Sequence, residues 1–392
     1  MERISVIIPV NKESEFVQDC LQSIINSTYR NIEIILIDNG TAQDMDAIMD
    51  EFDSDISIVT HKYKNLAQAH NYGIKHSNGV YISLFNADDI NGKMRLELSM
   101  KRFEDEPKLG MVFCGTTFIN ENNEFLTGIS RFPKFERNQF LGHMFERNWI
   151  NSISTTLIKA DVLKKIGGFD KSFDFAEDYD LFLRVGSVSQ VDYIDLPLVR
   201  YRMDSRKMKP DANLFQSYEI KAVRKHDPGE IAAGLSALYK NEENFRISFG
   251  KTLYRIGMKE QALLQFQRSL ELNNKNADGY FYTGNCYFDL GKLDHALTEY
   301  DACLKLNAQH VGCLNNLGIL YFHQGEYARS LMEFKKATQI NSFQHEPHFN
   351  LACLKKKESP ETLRLSFHDS MSQQVMQKNS HVRIESHFGV SL

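Results

Sequence analysis

The chain has 392 residues, enough for two or three domains, and its 42% hydrophobic content is that of a globular protein. A formal net charge of -5 at pH 7 gives no hint of nucleic acid as a bulk partner, and none is expected. No apolar run approaches the roughly 20 residues that span a bilayer. Cys20, Cys114, Cys286, Cys303, Cys313 and Cys353 form no CxxC pair and have no accompanying His cluster. That is the pattern of reduced packing cysteines in a cytosolic protein. The apolar stretch "ISVIIPV" is too short for a signal-peptide core, so a soluble, cytoplasmic chain is expected, at most peripheral at the inner face of the membrane.

In chain order, "ISVIIPV" (4–10) reads as a buried strand. Phe16, Val17, Cys20, Leu21, Ile24 and Ile25 then recur at helical spacing. "IEIILID" (32–38) is a second strand, followed by Gly40. "ISIVT" (56–60) and "VYISLF" (80–85) are two more, with a polar helical segment between them. Strands alternating with helices predict a Rossmann-like α/β fold with a mostly parallel sheet. Ligands of such sheets bind beyond the carboxyl ends of the strands. Pro9 to Asn11, Asp38 to Thr41 and Asn86 to Asp89 all lie just past strand ends and are expected to converge on one crevice. "NADD" (86–89) sets two adjacent carboxylates against a buried strand, which is costly unless they meet water, donors or a cation.

Near residue 210 the pattern changes. Glycines recur at 250, 284 and 318 and again at 257, 291 and 325, a period of 34 residues. Phe266, Tyr300 and Phe334 keep it, as do Asn273, Asn307 and Asn341, and Ala262 and Ala296 with Ser330 in the third place. This resembles the tetratricopeptide repeat, an all-α architecture. The expected organisation is a catalytic domain over 1–210, a helical linker over 211–243, three repeats over 244–341, a capping helix over 342–357 and a flexible tail over 358–392.

The first 205 residues resemble family 2 glycosyltransferases of the GT-A fold. The resemblance rests on six blocks in order: "SVIIPV" with "CLQSIINSTY", "IEIILIDNGT", "NLAQAHNYGI", "GVYISLFNADD", "LKKIGGFDKSFDFAEDYDLFLRV" and "VRYRMD". It implies transfer of a sugar from a nucleotide-sugar donor, with Mg²⁺ or Mn²⁺. Asp89 with Asp88 is expected to hold the metal and meet the ribose. Asn86 stands where the family often has Asp; it keeps an acceptor oxygen for a ribose hydroxyl. Asp38 is expected to read a uracil base, against an Asx turn before Gly40 as the plainer reading; Pro9, Val10 and Asn11 would line the base. His70 replaces a usual Arg beside a retained Asn71, and implies either a weaker, pH-dependent donor contact or a surface helix histidine.

Asp178 is the implied general base, kept ionised by a helix N-terminus, with Glu177 orienting it or binding acceptor; a single base implies inversion. Asp180 is expected to cap or pair, and Arg184 to be structural or acceptor-facing. Asp204 stands where relatives carry a metal-proximal His and is expected to serve as a further metal ligand, partly replacing the charge lost at Asn86. Trp149 stacks on an acceptor sugar or packs in the core. Tyr254, Phe288 and Phe322 share one repeat position and form either an aromatic grip for a protein or peptide acceptor or docking partner, or inter-helix core. Two other functions stay open: a transferase of cell-surface polysaccharide or lipid-linked oligosaccharide assembly, and an inactive scaffold that binds through its repeats.

Overall fold

The computed structural model describes residues 1–11, 15–40, 56–204, 211–356 and 362–367. Two units are present, the first ending at Ala237 and the second beginning at Leu238. Lys12 and most of the expected tail lie outside the described residues.

The first unit is built on one sheet. Strands β1 (Ile4–Val10), β2 (Ile32–Asp38), β3 (Ile56–Thr60) and β4 (Tyr81–Leu84) pair in parallel in the order β3-β2-β1-β4. β1 and β4 are buried throughout, which is why they read as unbroken apolar runs. Helix α1 (Val17–Ile25) buries Val17, Cys20, Leu21 and Ile24, one face of a 3.6-residue period. Helix α2 (Leu66–His76) starts at Asn65, whose side chain accepts from the Gln68 amide. Beyond β4 the sheet becomes mixed. β5 (Ile90–Asn91), β6 (Leu109–Ile119), β7 (Phe125–Ser130), β8 (Thr156–Lys159) and β9 (Gln190–Arg202) continue it as β4-β8-β6-β9-β5, with β7 on β6. The parallel character expected of the whole sheet thus belongs to its first half, while β4 with β8, β6 with β8 and β5 with β9 are antiparallel. Around these strands lie helices α3 (Arg95–Asp105), α4 (Phe140–Glu146), α5 (Ala160–Lys165) and α6 (Glu177–Val188).

Helices α7 (Ala212–Arg224) and α8 (Pro228–Leu238) fall in the span expected as a linker. They pack on the first unit instead. Lys225 pairs with Asp170 at 3.0 Å and with the buried Asp180 at 2.5 Å, and Gln139 donates to the Ala237 carbonyl at 3.1 Å. A basic residue at the end of α7 therefore meets an acid already inside the fold.

Among its described residues the second unit has three helix pairs and one more helix: α9 (Glu242–Arg255) with α10 (Lys259–Leu272), α11 (Ala277–Asp289) with α12 (Leu293–Leu306), α13 (Val311–His323) with α14 (Tyr327–Ile340), and α15 (His345–Lys356). The 34-residue period has a steric cause. A Cβ on Gly250, Gly284 or Gly318 would lie 2.6, 2.5 or 2.7 Å from the ring of Phe266, Tyr300 or Phe334. Each glycine lets the paired helix press an aromatic ring onto bare backbone. Ala262, Ala296 and Ser330 are fully buried on the second helices.

Of the aromatic row, Tyr254 donates to Asp289 at 2.8 Å, Phe288 packs edge-on to His323 and Phe322 edge-on to Tyr327. Phe288 and Phe322 thus meet neighbouring helices, and the Tyr254 ring also lies 5.7 Å from that of Phe367.

Gly284→Ala should destabilise the repeats. Alanine gains up to about 1 kcal/mol in helix propensity, but overpacking a fixed ring costs about 1–3 kcal/mol. Tyr300 cannot retreat easily, because its hydroxyl donates to Asn285 at 2.8 Å. Urea unfolding followed by circular dichroism should show a lower midpoint for the variant, and an unchanged midpoint would contradict this packing.

Candidate active site

The carboxyl ends of β1, β2 and β4 carry the residues expected to meet the donor. Val10 pairs with Asp38 in register, and the Phe85 amide donates to the Ile7 carbonyl at 2.9 Å. Asp38 Oδ1 accepts the Gly40 amide at 3.0 Å, with Gly40 at φ +80°, so the Asx turn is present. Tyr63, which sequence reasoning missed, closes this corner. Its hydroxyl donates to the Val10 carbonyl at 3.0 Å, and its backbone exchanges hydrogen bonds with the Asn39 side chain at 3.0 and 3.1 Å. Burial, helped by the Asp38 charge, pushes the Tyr63 phenol well up and keeps it a donor.

The "NADD" turn corrects the expected metal assignment. Asp89 is 1% exposed. Its Oδ2 accepts from Ser154 Oγ at 2.6 Å, Ser152 Oγ at 2.8 Å and Asn86 Nδ2 at 3.2 Å, and its Oδ1 from the Arg202 amide at 3.2 Å. A carboxylate walled off and bonded by four protein donors has no face left for a cation or a ribose. Burial raises its pKa and those donors pull it back down. Asn86 also donates from its side chain to Ser152 Oγ at 3.2 Å and from its backbone amide to Ser154 Oγ at 2.9 Å. Its NH₂ group is therefore committed inward.

Asp88 is partly exposed. Its carbonyl accepts from Arg202 Nε at 2.9 Å. Arg202 is a hub. Its Nη1 donates to the Asn120 carbonyl at 3.0 Å and its Nη2 to Asn123 Oδ1 at 2.7 Å, and the guanidinium lies 3.9 Å from the Phe16 ring centroid. Burial lowers its pKa, while Asp19, Asp88, Asp89 and Asp204 act to raise it. Asp88 and Asp204 therefore share one electrostatic neighbourhood. Tyr201, also missed from sequence, joins the two halves of the site. Its phenol is pushed up to about 12 by burial, then by the charges of Asp89, Asp178 and Asp88.

Two expected donor contacts are corrected. His70 is 1% exposed, stacks on Phe169 at 4.8 Å, and neither ring nitrogen has a hydrogen-bond partner among the described residues. Burial holds its pKa down to about 3, so it is neither a surface histidine nor a titrating contact near neutral pH. Asn71 clips the "GGFD" loop: Nδ2 donates to the Phe169 carbonyl at 2.8 Å and Oδ1 accepts the Phe169 amide at 2.8 Å. Gly168, at φ +71°, must lack a Cβ because Asn71 Oδ1 occupies that space.

That loop leads into α6, whose first acids are Glu177 and Asp178. The preceding Ala176 has φ +54°, a left-handed conformation that is strained for a residue with a Cβ. Arg184 fixes the turn by donating to the Ile166 and Gly168 carbonyls at 3.1 and 2.6 Å and by pairing with Asp180 at 2.5 Å. Both Glu177 and Asp178 are recessed but partly accessible. Burial, then the Asp178 charge, raises Glu177 to about 8. Burial also raises Asp178 to about 6, with Glu219 of α7 adding to the rise and the Tyr179 amide, bonded at 2.7 Å, opposing it. The helix terminus was expected to hold Asp178 low; burial outweighs it. Trp149 carries the Arg147 guanidinium 3.4 Å from its ring and packs against Phe132 and His143, the packing alternative of the two expected.

A parallel half-sheet ending in an acidic turn, with a carboxylate pair on a helix entering from the far half, defines a glycosyltransferase domain of the GT-A fold. Residues 5–167 match the family described as Glycosyl transferase family 2, and this domain belongs to it. Residues 284–325 match a TPR repeat and 311–343 a tetratricopeptide repeat. An uncharacterized glycosyltransferase of Rickettsia typhi is 27% identical over 221 residues, covering 55% of this chain and 69% of that protein. The O-antigen biosynthesis glycosyltransferase WbnJ of Escherichia coli is 28% identical over 250 residues, covering 61% of this chain and 95% of WbnJ. Among solved structures, S. aureus TarS 1-349 in complex with UDP has a TM-score of 0.48 at 11% identity, covering 88% of this chain and 93% of that one. The chain spans 55% of the longer TarS chain. Among the described residues no helix is long and apolar enough to cross a membrane.

Each donor orphaned by Asp89→Ala costs about 1–3 kcal/mol. That variant should lose at least ~3 kcal/mol in chemical unfolding, so its inactivity would report a broken fold rather than a lost ligand. Native stability would contradict the structural role.

A second prediction concerns pH. Glu177 and Asp178 carry raised folded-state pKa values, so the folded chain holds protons that the unfolded chain releases. Stability from this source is complete only below the unfolded values of 3.8 and 4.5 and is lost as pH rises from there through about 6 and 8. Asp178→Asn should therefore raise Tm at pH 8 by about 2–4 °C over the native chain, a gain that vanishes near pH 4. A pH-independent difference would reject the burial of this carboxylate.

Proposed function

We propose that the first unit transfers a sugar from a uridine-diphosphate sugar to an acceptor hydroxyl with inversion, with a divalent cation, and that the repeats hold a protein or peptide acceptor. One feature supports this reading of the site: the charges of Asp88, in "NADD", and Asp178, on the far helix, both reach the Tyr201 phenol, so the two acids lie in one electrostatic neighbourhood.

On this reading Asp38 accepts the imide N–H of uracil, with Pro9, Val10, Asn11 and Tyr63 around the base. Asn86, its NH₂ turned inward, offers its carbonyl oxygen to the ribose. Asp88 and Asp204 would hold the cation. Among the described residues no group of three or more His, Cys, Asp or Glu forms a cage. The donor set still fits, because Mg²⁺ is commonly held by one or two carboxylates together with substrate phosphates. When bound, the cation neutralises charge growing on the leaving diphosphate.

Near neutral pH the carboxyl pair divides its roles. Asp178, with a pKa of about 6, is mostly ionised, while Glu177, at about 8, keeps its proton. Asp178 takes the proton of the acceptor hydroxyl as its oxygen bonds to the anomeric carbon. The bond from that carbon to the diphosphate breaks on the opposite side, and the nucleoside diphosphate leaves with the electron pair. The match to WbnJ over 95% of its length supports a second reading, in which the acceptor is a cell-surface glycan.

Calorimetry and turnover test the site together. Asp88→Asn should keep the native Tm but lose Mn²⁺-dependent UDP binding. Asp178→Asn should keep UDP binding while turnover falls about 10²-fold or more. Turnover within a few-fold of the native chain would remove Asp178 as base, and retained anomeric configuration, read by NMR, would remove inversion.

A further inference from the structure

Residues 362–367, "TLRLSF", form no strand, and polar side chains of the first helices of the repeats hold the main chain at alternate residues, 364 and 366. Asn316 donates to the Ser366 carbonyl at 2.9 Å and accepts the Ser366 amide at 2.7 Å. Asn350 does the same to Arg364, at 2.8 and 2.7 Å. The Tyr282 hydroxyl donates to the Phe367 carbonyl at 3.1 Å, and Asn315 adds a bond to the Arg364 carbonyl at 3.0 Å.

Residues 282, 316 and 350 are separated by 34, so these contacts come from one repeat position used three times. In an extended chain alternate residues face the same side. Residues 364 and 366 therefore meet consecutive asparagines, much as a strand meets its neighbour.

The asparagines are built for this. Asn285, Asn315, Asn316 and Asn350 are fully buried and joined to one another: Asn316 donates to Asn285 at 2.7 Å, Asn315 to Asn316 at 3.1 Å and Asn350 to Asn315 at 2.9 Å. Buried amides are costly unless bonded, and within this row Asn316 and Asn350 obtain a donor and an acceptor from the segment's backbone. Side chains contribute at fewer points. Ser366 is fully buried, which limits that place to a small residue. Arg364 sits 3.9 Å from the Phe349 ring centroid, and Phe367 lies 5.7 Å from Tyr254.

We infer that Tyr282, Asn316 and Asn350 form a main-chain-reading site for extended polypeptide, that residues 362–367 are its resident occupant, and that a peptide from another molecule binds there only by displacing them. The incoming chain needs an N–H and a carbonyl at two alternate residues, the second of them small, and little else from its sequence. This deepens the peptide-holding reading of the repeats, and its test reads binding, so the two can fail separately.

The test uses the full chain and a fluorescein-labelled hexapeptide, TLRLSF. Ser366→Pro removes the amide that Asn316 accepts and leaves the groove untouched. By fluorescence anisotropy this variant should bind the hexapeptide at least tenfold more tightly than the native chain. Adding Asn316→Ala and Asn350→Ala should abolish that binding. In the native chain, hydrogen exchange at the Arg364 and Ser366 amides should be slow while that at Leu365 is fast. Equal hexapeptide binding by the native and Ser366→Pro chains, no binding by the variant, or fast exchange at both amides would overturn the inference. Hexapeptide binding without sugar transfer to any peptide would support the self-occupied groove while removing the peptide acceptor.

Discussion

The donor half depends on one buried carboxylate. Asp89 draws its hydrogen bonds from the end of β4, from the segment at 152–154 and from the last residue of β9. A charge taken out of water must be fully bonded or it destabilises the fold. These segments are thus held where Asp89 needs them, with Asp88 and Tyr201 carried along as neighbours in sequence. Arg95 works from beneath in the same way. It is fully buried, and it donates to Asn91 at 2.6 Å, Ser83 at 2.8 Å and the Thr156 carbonyl at 3.2 Å, so one cation ties β5, β4 and β8. Asn86 then has a reason. An aspartate there would set a second carboxylate against Asp89 at the 3.2 Å of the present hydrogen bond; asparagine turns that repulsion into a bond.

The carboxyl pair on α6 shows a contest between two effects of known size. A helix N-terminus favours an anion by about 0.3–1 kcal/mol at an exposed site. Desolvation in a recess works against the anion and can exceed that several-fold. At Asp178 desolvation wins, and the result suits a base better than full ionisation would, since a base with a pKa near the working pH removes a proton most effectively. The strained Ala176 backbone is consistent with this. The Arg184 clamp and the Asn71 clip over-determine the turn, which is the circumstance in which such strain persists at a site.

Much of this was legible in the sequence. Unbroken apolar runs gave β1, β2 and β4, and the 34-residue spacing gave the register of the repeats. What sequence could not decide was which member of an adjacent pair turns inward. Asp88 and Asp89 differ by one residue, and the choice is made by Ser152, Ser154 and the Arg202 backbone, 63, 65 and 113 residues away. The same holds for Asn71, whose partner at Phe169 is 98 residues on, and which only its proximity to the "GGFD" glycines could have suggested. His70 misled because its place in a motif outweighed its place on a helix: a histidine among buried alanines is a core position. In the repeats the period identified equivalent positions but not the face they occupy. Residues 254, 288 and 322 were as periodic as 282, 316 and 350, and buried amides mark a binding face more sharply than aromatic rings, because rings are content in a core and amides are not.

That contrast separates the two units. At Asp89 both carboxylate oxygens are bonded within the folded domain, so the residue is architectural. In the repeats the buried amides are satisfied by borrowing main chain from outside the helices. A row closed on itself would rank with the other devices of the core. One that closes only when an extended segment lies across it carries an unfilled requirement, and that requirement is what a binding site is in physical terms. The chain's own residues 362–367 meet it in the structure, which makes the cost of vacating the groove the quantity that sets how tightly any competing peptide can bind.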